Sequence, residues 1–300
     1  MTQTDTSAKA DHLLAQIAKA FPELTWQGYT YLDEGWDHEV IILDNKVVFR
    51  FPDDDEYLTK LAHEIEVLHY LRPSLNVLVP HYTYLPKPLS FAGYPIIKGE
   101  TLTKVFFDSL PPVERKMVAR QLADFLTCLH TQALTKPPLK NVPETVLADD
   151  QHEVREGTAT HLKSVLSPQD YDLAQQILGQ VDGLIGTALP HVFIHNDIYS
   201  RHLLWDAQKR QLGVIDFSDM CLGDPAVDFA ELHEYGFGFV QEVYEQYEGP
   251  KDPEFLNRAW LYQEWIGVYM MTDHFAYNKT SFAVARETFD RVKAQGKDRI

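Results

Sequence analysis

The sequence predicts an α+β protein of two lobes: a small antiparallel sheet over residues 1–97, and a larger, mainly helical lobe over 98–300. Three observations carry this. Residues 26–51 alternate apolar and polar at strand period and are broken by polar turns. Beyond residue 110 the apolar residues recur at helical spacing in long runs. Within that half, two aspartates, Asp197 and Asp216, each close a short apolar run and are separated by a hairpin's length of chain.

Leu13 to Phe21 has helical apolar spacing and runs into Phe-Pro, so a first helix should stop near Ala20. Trp26 to Phe51 then gives three strands, with turns at Asp33 to Asp37 and Asp44 to Lys46. The first turn, within LDEGWDHEV, carries one glycine, Gly35. A phosphate-covering loop and an ordinary hairpin turn are both open readings of it. In the third strand Val47, Phe49 and Phe51 share one face, leaving Val48 and Arg50 on the other. Asp53 to Glu56 suits a helix N-terminus, and Leu58, Leu61, Ala62, Ile65, Leu68 and Leu71 supply the stripe that follows. Glu64 and Glu66 both fall inside that helix. Val77 to Pro80 and Phe91 to Lys98 are the remaining strands of the lobe, and Tyr94 to Gly99 links it to the second.

Pro111 and Pro112 open a helix from Leu110 to Thr131, with Val113, Met117, Val118, Leu122, Phe125, Leu126 and Leu129 on one face and His130 as an end residue that suits the helix dipole. Thr135 to Gly157 is polar and acidic and is expected to be the mobile part of the lobe. Ser167, Pro168 and Asp170 start a helix reaching about Leu184. Ala226 to Tyr247 and Phe255 to His274 are further helices rich in aromatic residues, and Asp224 before Pro225 caps the first of them.

The stretch HVFIHNDIYSRHLLWDAQKRQLGVIDF, 191–217, organises the rest. Phosphoryl transfer from a nucleotide needs one carboxylate to orient the acceptor hydroxyl and take its proton, and further ligands to hold Mg²⁺ against the phosphates. In protein kinases these come as H-x-D, four residues, an Asn, and then a D-F-G after a hairpin. Here His195, Asn196 and Asp197 form H-x-D, His202 occupies the ligand slot, and Val214 to Ser218 read VIDFS. A zinc site of His191, His195 and His202 is the rival. The β-branched run Val192 to Ile194 after Pro190 opposes the helix that would align such histidines, and no acidic base lies between them.

HNDIYSRHLL followed by GVIDFSDMCLGDPAVDFAEL resembles the core of the aminoglycoside phosphotransferase superfamily, most closely the 2''-phosphotransferases, in which a His in the metal slot and an F-R-F-P strand also occur. The resemblance spans most of the chain from about Phe21. It implies a protein-kinase-like fold and Mg²⁺-dependent transfer of the γ-phosphoryl group of GTP or ATP, leaning towards GTP, to a hydroxyl of a small molecule. The first lobe would bind the nucleotide and the second would carry catalysis and the acceptor. Asp197 would be the base, Asp216 and His202 the metal ligands, and Arg50 the cation on the α and β phosphates, oriented by Glu64 rather than Glu66. Tyr94, Ile96 and Ile97 would offer backbone groups to the purine, because Pro95 has no N–H. Asp219, Glu231 and Glu234 would meet a cationic aminoglycoside, although the acidic loop before Tyr235 and Gly236 is shorter than in those enzymes. Such an enzyme confers antibiotic resistance. A macrolide, choline or a sugar is the alternative acceptor, and a nucleotide-binding protein with vestigial catalysis the alternative class.

Composition bounds the rest. The chain has 300 residues, 45% of them hydrophobic, enough for a substantial core, and a formal net charge of −17. That charge excludes nucleic acid as an expected partner and suits a cationic one. The two cysteines, Cys128 and Cys221, make no disulfide framework. No signal-peptide core or membrane-length apolar run is present, and a cytoplasmic location is expected.

Overall fold

The structure, a computed structural model, describes residues 3–32, 38–145, 147–278 and 280–297, with side chains from residue 8. The turn at 33–37, and Gly35 with it, lies outside the described residues. The chain divides into two compact units, Met1–Glu100 with Leu204–Ser218, and Thr101–Leu203 with Asp219–Ile300.

In the first unit α1 (Gln3–Ala20) ends where the Phe-Pro signal put it. The sheet runs β1 (Tyr29–Leu32), β2 (His38–Leu43), β3 (Val47–Pro52) and β4 (Ala92–Pro95), each strand antiparallel to the next. Ala10, Leu13 and Ile17 of α1 pack on Ile41, Leu43, Val47, Phe49, Phe51 and Phe91, so the apolar face of β3 is the one its alternation gave. Phe49 lies over Gly93, where an added Cβ would come within 2.5 Å of the ring. Between the last two strands runs α2 (Asp55–Leu71), capped by Asp54, whose side chain accepts from the Tyr57 N–H at 2.9 Å. Val77 to Pro80 is not a strand. Leu78 makes one bridge to Gly213, with its N–H on the Leu212 carbonyl and its carbonyl on the Val214 N–H, both at 2.8 Å. Pro80 has no N–H with which to extend a ladder. The expected strand Phe91 to Lys98 likewise shortens to β4.

The second unit begins at Thr101, the last residue of β5 (Glu100–Thr101), and continues with α3 (Lys104–Ser109) and α4 (Pro112–His130). Val118, Leu122, Phe125, Leu126 and Leu129 are buried on α4 as expected, whereas Val113 in its first turn is exposed. Thr135 to Gly157, expected as a mobile polar stretch, contains α5 (Leu147–Gly157), with Val154 and Gln151 buried and Gln151 accepting from the Trp265 indole at 2.8 Å. Val154, the partly buried Leu147 and one hydrogen-bonded amide dock this helix, too little to leave a sequence stripe. A π-helical turn, Thr158–Leu162, leads into α6 (Lys163–Val165) and α7 (Pro168–Asp182), the latter capped by Ser167. β6 (Val192–Ile194) ends immediately before His195.

From Leu204 the chain is part of the first unit again. There β7 (Leu203–Asp206) and β8 (Gln211–Val214) form the expected hairpin, whose turn is held by Asp206 Oδ1 accepting from the N–H groups of Gln208 and Lys209, each at 3.0 Å. Back in the second unit, β9 (Cys221–Gly223) pairs antiparallel with β6. Ala226 to Tyr247 is not one helix. Two 3₁₀ segments, Val227–Phe229 and Glu231–Tyr235, precede α8 (Phe237–Gln246), with the break at Gly236, φ +100°. The unit closes with α9 (Phe255–Tyr277) and α10 (Phe282–Gly296), which pack Val268, Met271 and Phe289 against Leu162, Ile177, Leu178 and Val181.

Candidate functional site

The first unit holds a buried polar cluster on the face of β3 opposite α1. Arg50, 6% exposed, is its centre. Its Nη1 lies 2.8 and 3.0 Å from the two carboxylate oxygens of Glu64 and 3.0 Å from the Tyr82 hydroxyl, which itself donates to Glu64 Oε1 at 2.9 Å. Nη2 donates to Asp216 Oδ1 at 3.1 Å and lies 3.3 Å from His38 Nδ1. Burial opposes the charge of Arg50, but Glu64 first among its neighbours outweighs that and keeps the guanidinium firmly protonated. An exposed strand arginine is therefore excluded. Glu64 is fully buried in α2, while Glu66 is on its exposed face.

Asp216 follows β8 with φ +64° and also accepts from the Ser218 hydroxyl at 2.8 Å. An aspartate tolerates this left-handed conformation better than most residues, and here it turns the carboxylate onto Arg50. Tyr94 is buried in β4 against Tyr82, ring centroids 5.0 Å apart. The Ile96 N–H donates to the Lys46 carbonyl at 2.8 Å. That N–H is thus engaged within the sheet, while Ile97 follows it in the chain.

In the second unit Asp197 sits in the loop after β6, its carboxylate partly exposed. His202 Nδ1 is 3.0 Å from the Asp197 carbonyl and 3.1 Å from its Oδ2. Both are acceptors, so this nitrogen carries the ring proton. The loop backbone is fixed from behind by Asp228, fully buried, which accepts from the N–H groups of His195 at 2.9 Å and Asn196 at 2.7 Å. Asp228 Oδ2 is also 3.0 Å from His130 Nε2, and His130 Nδ1 is 2.8 Å from the Tyr247 hydroxyl. Burial works against the Asp228 carboxylate, but the His130 hydrogen bond prevails and its pKa lies below the usual value. His130 is thus a buried strut under the H-x-D loop, correcting its reading as a mere helix-end residue. Asp228 went unnoticed in the sequence, although an aspartate inside the apolar run AVDFA is itself the mark of a buried partner.

The three expected acceptor carboxylates separate into two groups. Glu231 is half-buried, and burial, then Asp197 and Glu234, push its carboxyl up to about 8. It shares its charge environment with the Asp197 loop. Asp219 is exposed and acts instead with Asp273, Asp150 and Glu153 on Tyr269. Asp224 forms a turn and a buried ion pair, at 2.7 Å, with Arg258, which also holds Asp252. Among the described residues no group of three or more His, Cys, Asp or Glu is arranged to hold a metal. His191 is half-exposed at the start of a strand, so the three-histidine zinc reading has no geometric support.

Residues 28–258 match the model of a family described as a phosphotransferase enzyme family. Viomycin phosphotransferase of Streptomyces vinaceus is 30% identical over 127 residues, 40% of this chain and 42% of that protein, so the match spans less than half of that relative's length. The GDP and kanamycin complex of APH(2")-IIia superposes with a TM-score of 0.83 over 94% of this chain and 98% of its own, at 24% identity. Macrolide 2'-phosphotransferase type I gives 0.66 over 98% and 97%, at 20% identity. The two-lobed, kinase-like architecture expected from the sequence is the one these structures have.

Proposed function

The chain belongs to the phosphotransferase enzyme family, and from that premise we propose that it moves the γ-phosphoryl group of GTP or ATP to a hydroxyl of a small cationic molecule of the aminoglycoside class. One observation carries the reading. Asp197 is held on a loop whose backbone is pinned by Asp228 and whose carboxylate is met by the His202 ring, the immobilised, partly exposed carboxylate that a positioned base requires. Asp197 accepts the proton of the acceptor hydroxyl as that oxygen bonds to the γ-phosphorus and the bond from that phosphorus to the β–γ bridging oxygen breaks, releasing GDP or ADP. Arg50, kept charged and oriented by Glu64, faces the α and β phosphates.

Mg²⁺ fits part of the donor set. Magnesium takes one or two carboxylates and completes its shell with phosphate oxygens and water, so Asp216 with the nucleotide is a sufficient site, and a cluster of three protein ligands is not needed. His202 is the weaker match, because an imidazole nitrogen is softer than the oxygens magnesium prefers. The ion, when bound, neutralises charge on the β and γ phosphates.

The acidic surface and Glu231 beside the Asp197 loop support a cationic acceptor, and GDP with kanamycin in one structural neighbour supports the nucleotide and the class. The local identity to a viomycin phosphotransferase favours a second acceptor reading, a viomycin-like cation, within the same chemistry. The test is Asp197→Ala. Turnover should fall about 10²- to 10⁴-fold with nucleotide affinity unchanged; undiminished turnover would remove Asp197 from the reaction.

A further inference from the structure

His38 opens β2 and is 95% buried, its ring tilted against Tyr57 with centroids 6.2 Å apart. Its Nδ1 lies 3.3 Å from Arg50 Nη2. A guanidinium can only donate, so Nδ1 accepts and the ring proton is on Nε2. Burial, then the charge of Arg50, lowers the pKa of His38 to about 3, which keeps the ring in this neutral tautomer. Nε2 is buried and, among the described residues, has no hydrogen-bond partner. A buried donor without an acceptor is costly, and such groups persist where a ligand completes them.

The surroundings select the ligand. Arg50 and Lys60 both place positive charge on the ring, with Asp216 the opposing carboxylate. An incoming group must therefore be anionic and rich in acceptor oxygens, as a phosphate is. We propose that His38 donates its Nε2–H directly to a phosphate oxygen of the bound nucleotide. This rests on the nucleotide-dependent function proposed above.

Binding of GDP, ADP and their nucleosides, guanosine and adenosine, to the wild type and to three His38 variants tests it. His38→Ala should weaken diphosphate binding about 10- to 100-fold, the range of one hydrogen bond to a charged oxygen, and leave the nucleosides unaffected. His38→Asn keeps an acceptor at the Nδ1 position for Arg50 but lacks the reach of Nε2, and should stay weak. His38→Gln places its amide N–H at the Nε2 position and should recover most of the affinity. Rescue by Asn and not by Gln would show that His38 acts only by orienting Arg50 and would overturn the proposal. So would equal losses for nucleoside and diphosphate, or a wild type that binds GDP or ADP alongside an Ala variant that binds it as well. A wild type that binds neither diphosphate removes the proposed function itself, and this inference with it.

Discussion

Glu231 is the carboxylate whose protonation should couple folding to the proposed acceptor binding. Its folded pKa of about 8 is above the ordinary 4.5, so between those values the folded chain binds a proton that the unfolded chain has released. The contribution to stability is whole below pH 4.5 and is lost as pH rises through 8. Glu231→Gln should therefore flatten the fall of Tm between pH 5 and pH 8; parallel Tm profiles for variant and wild type would contradict the shift. A cation arriving beside Glu231 favours its charged form, so acceptor binding at pH 7 should release a proton. Calorimetry in buffers of different ionisation enthalpy reads this directly, and heats independent of buffer would count against Glu231 as an acceptor contact. Glu64 is the other decisive carboxylate. Glu64→Gln leaves the Arg50 guanidinium buried with half its partner gone, and should cost about 3–5 kcal/mol in denaturant unfolding, as breaking one side of a buried pair does. What the sequence displayed at this scale were the residues with a spacing: the H-x-D, the VIDF and an arginine on a strand. His38, Tyr82, His130 and Asp228 lack such a signature, because they meet their partners across long sequence separations and differ from ordinary polar residues only in being buried.

Elements hold these side chains at fixed places. The loop after β6 depends on Asp228 for two backbone hydrogen bonds and on His130 beneath it, so Asp228→Ala exposes both sets of partners at once. It should destabilise the protein by about 3–5 kcal/mol, and what remains folded should turn over slowly; wild-type stability would refute the strut. Against the sheet, Gly93→Ala forces a methyl group into the Phe49 ring and should cost about 1–3 kcal/mol, measured as a fall in Tm with the fold retained. Element type was legible wherever the apolar period was long, as in β3, α2, α4 and the β7–β8 hairpin. It failed where backbone chemistry overrode period. Gly236 breaks an otherwise helical run into two 3₁₀ segments and α8, and Pro80 leaves Val77 to Val79 a single bridge. α5 escaped notice because only Gln151 and Val154 are buried on it.

At the scale of the molecule, the chain leaves one unit and re-enters it, since the hairpin at Leu204–Ser218 is grouped with the N-terminal sheet. Asp216 meets Arg50, itself paired with Glu64, within that first unit, whereas Asp197, His202, Asp228 and Glu231 belong to the second. The sequence order alone, with Asp197 and Asp216 nineteen residues apart, hides this division. Among the described residues no helix is long and apolar enough to cross a membrane. The central claim, phosphoryl transfer from a purine nucleotide to a cationic alcohol, is tested most directly by a matrix of GTP and ATP against kanamycin, viomycin, erythromycin and choline, reading triphosphate loss in the presence of Mg²⁺. The account predicts loss stimulated by the cationic antibiotics, with one phosphorylated product for each triphosphate consumed. Nucleotide binding without acceptor-stimulated loss in any cell of the matrix would contradict it.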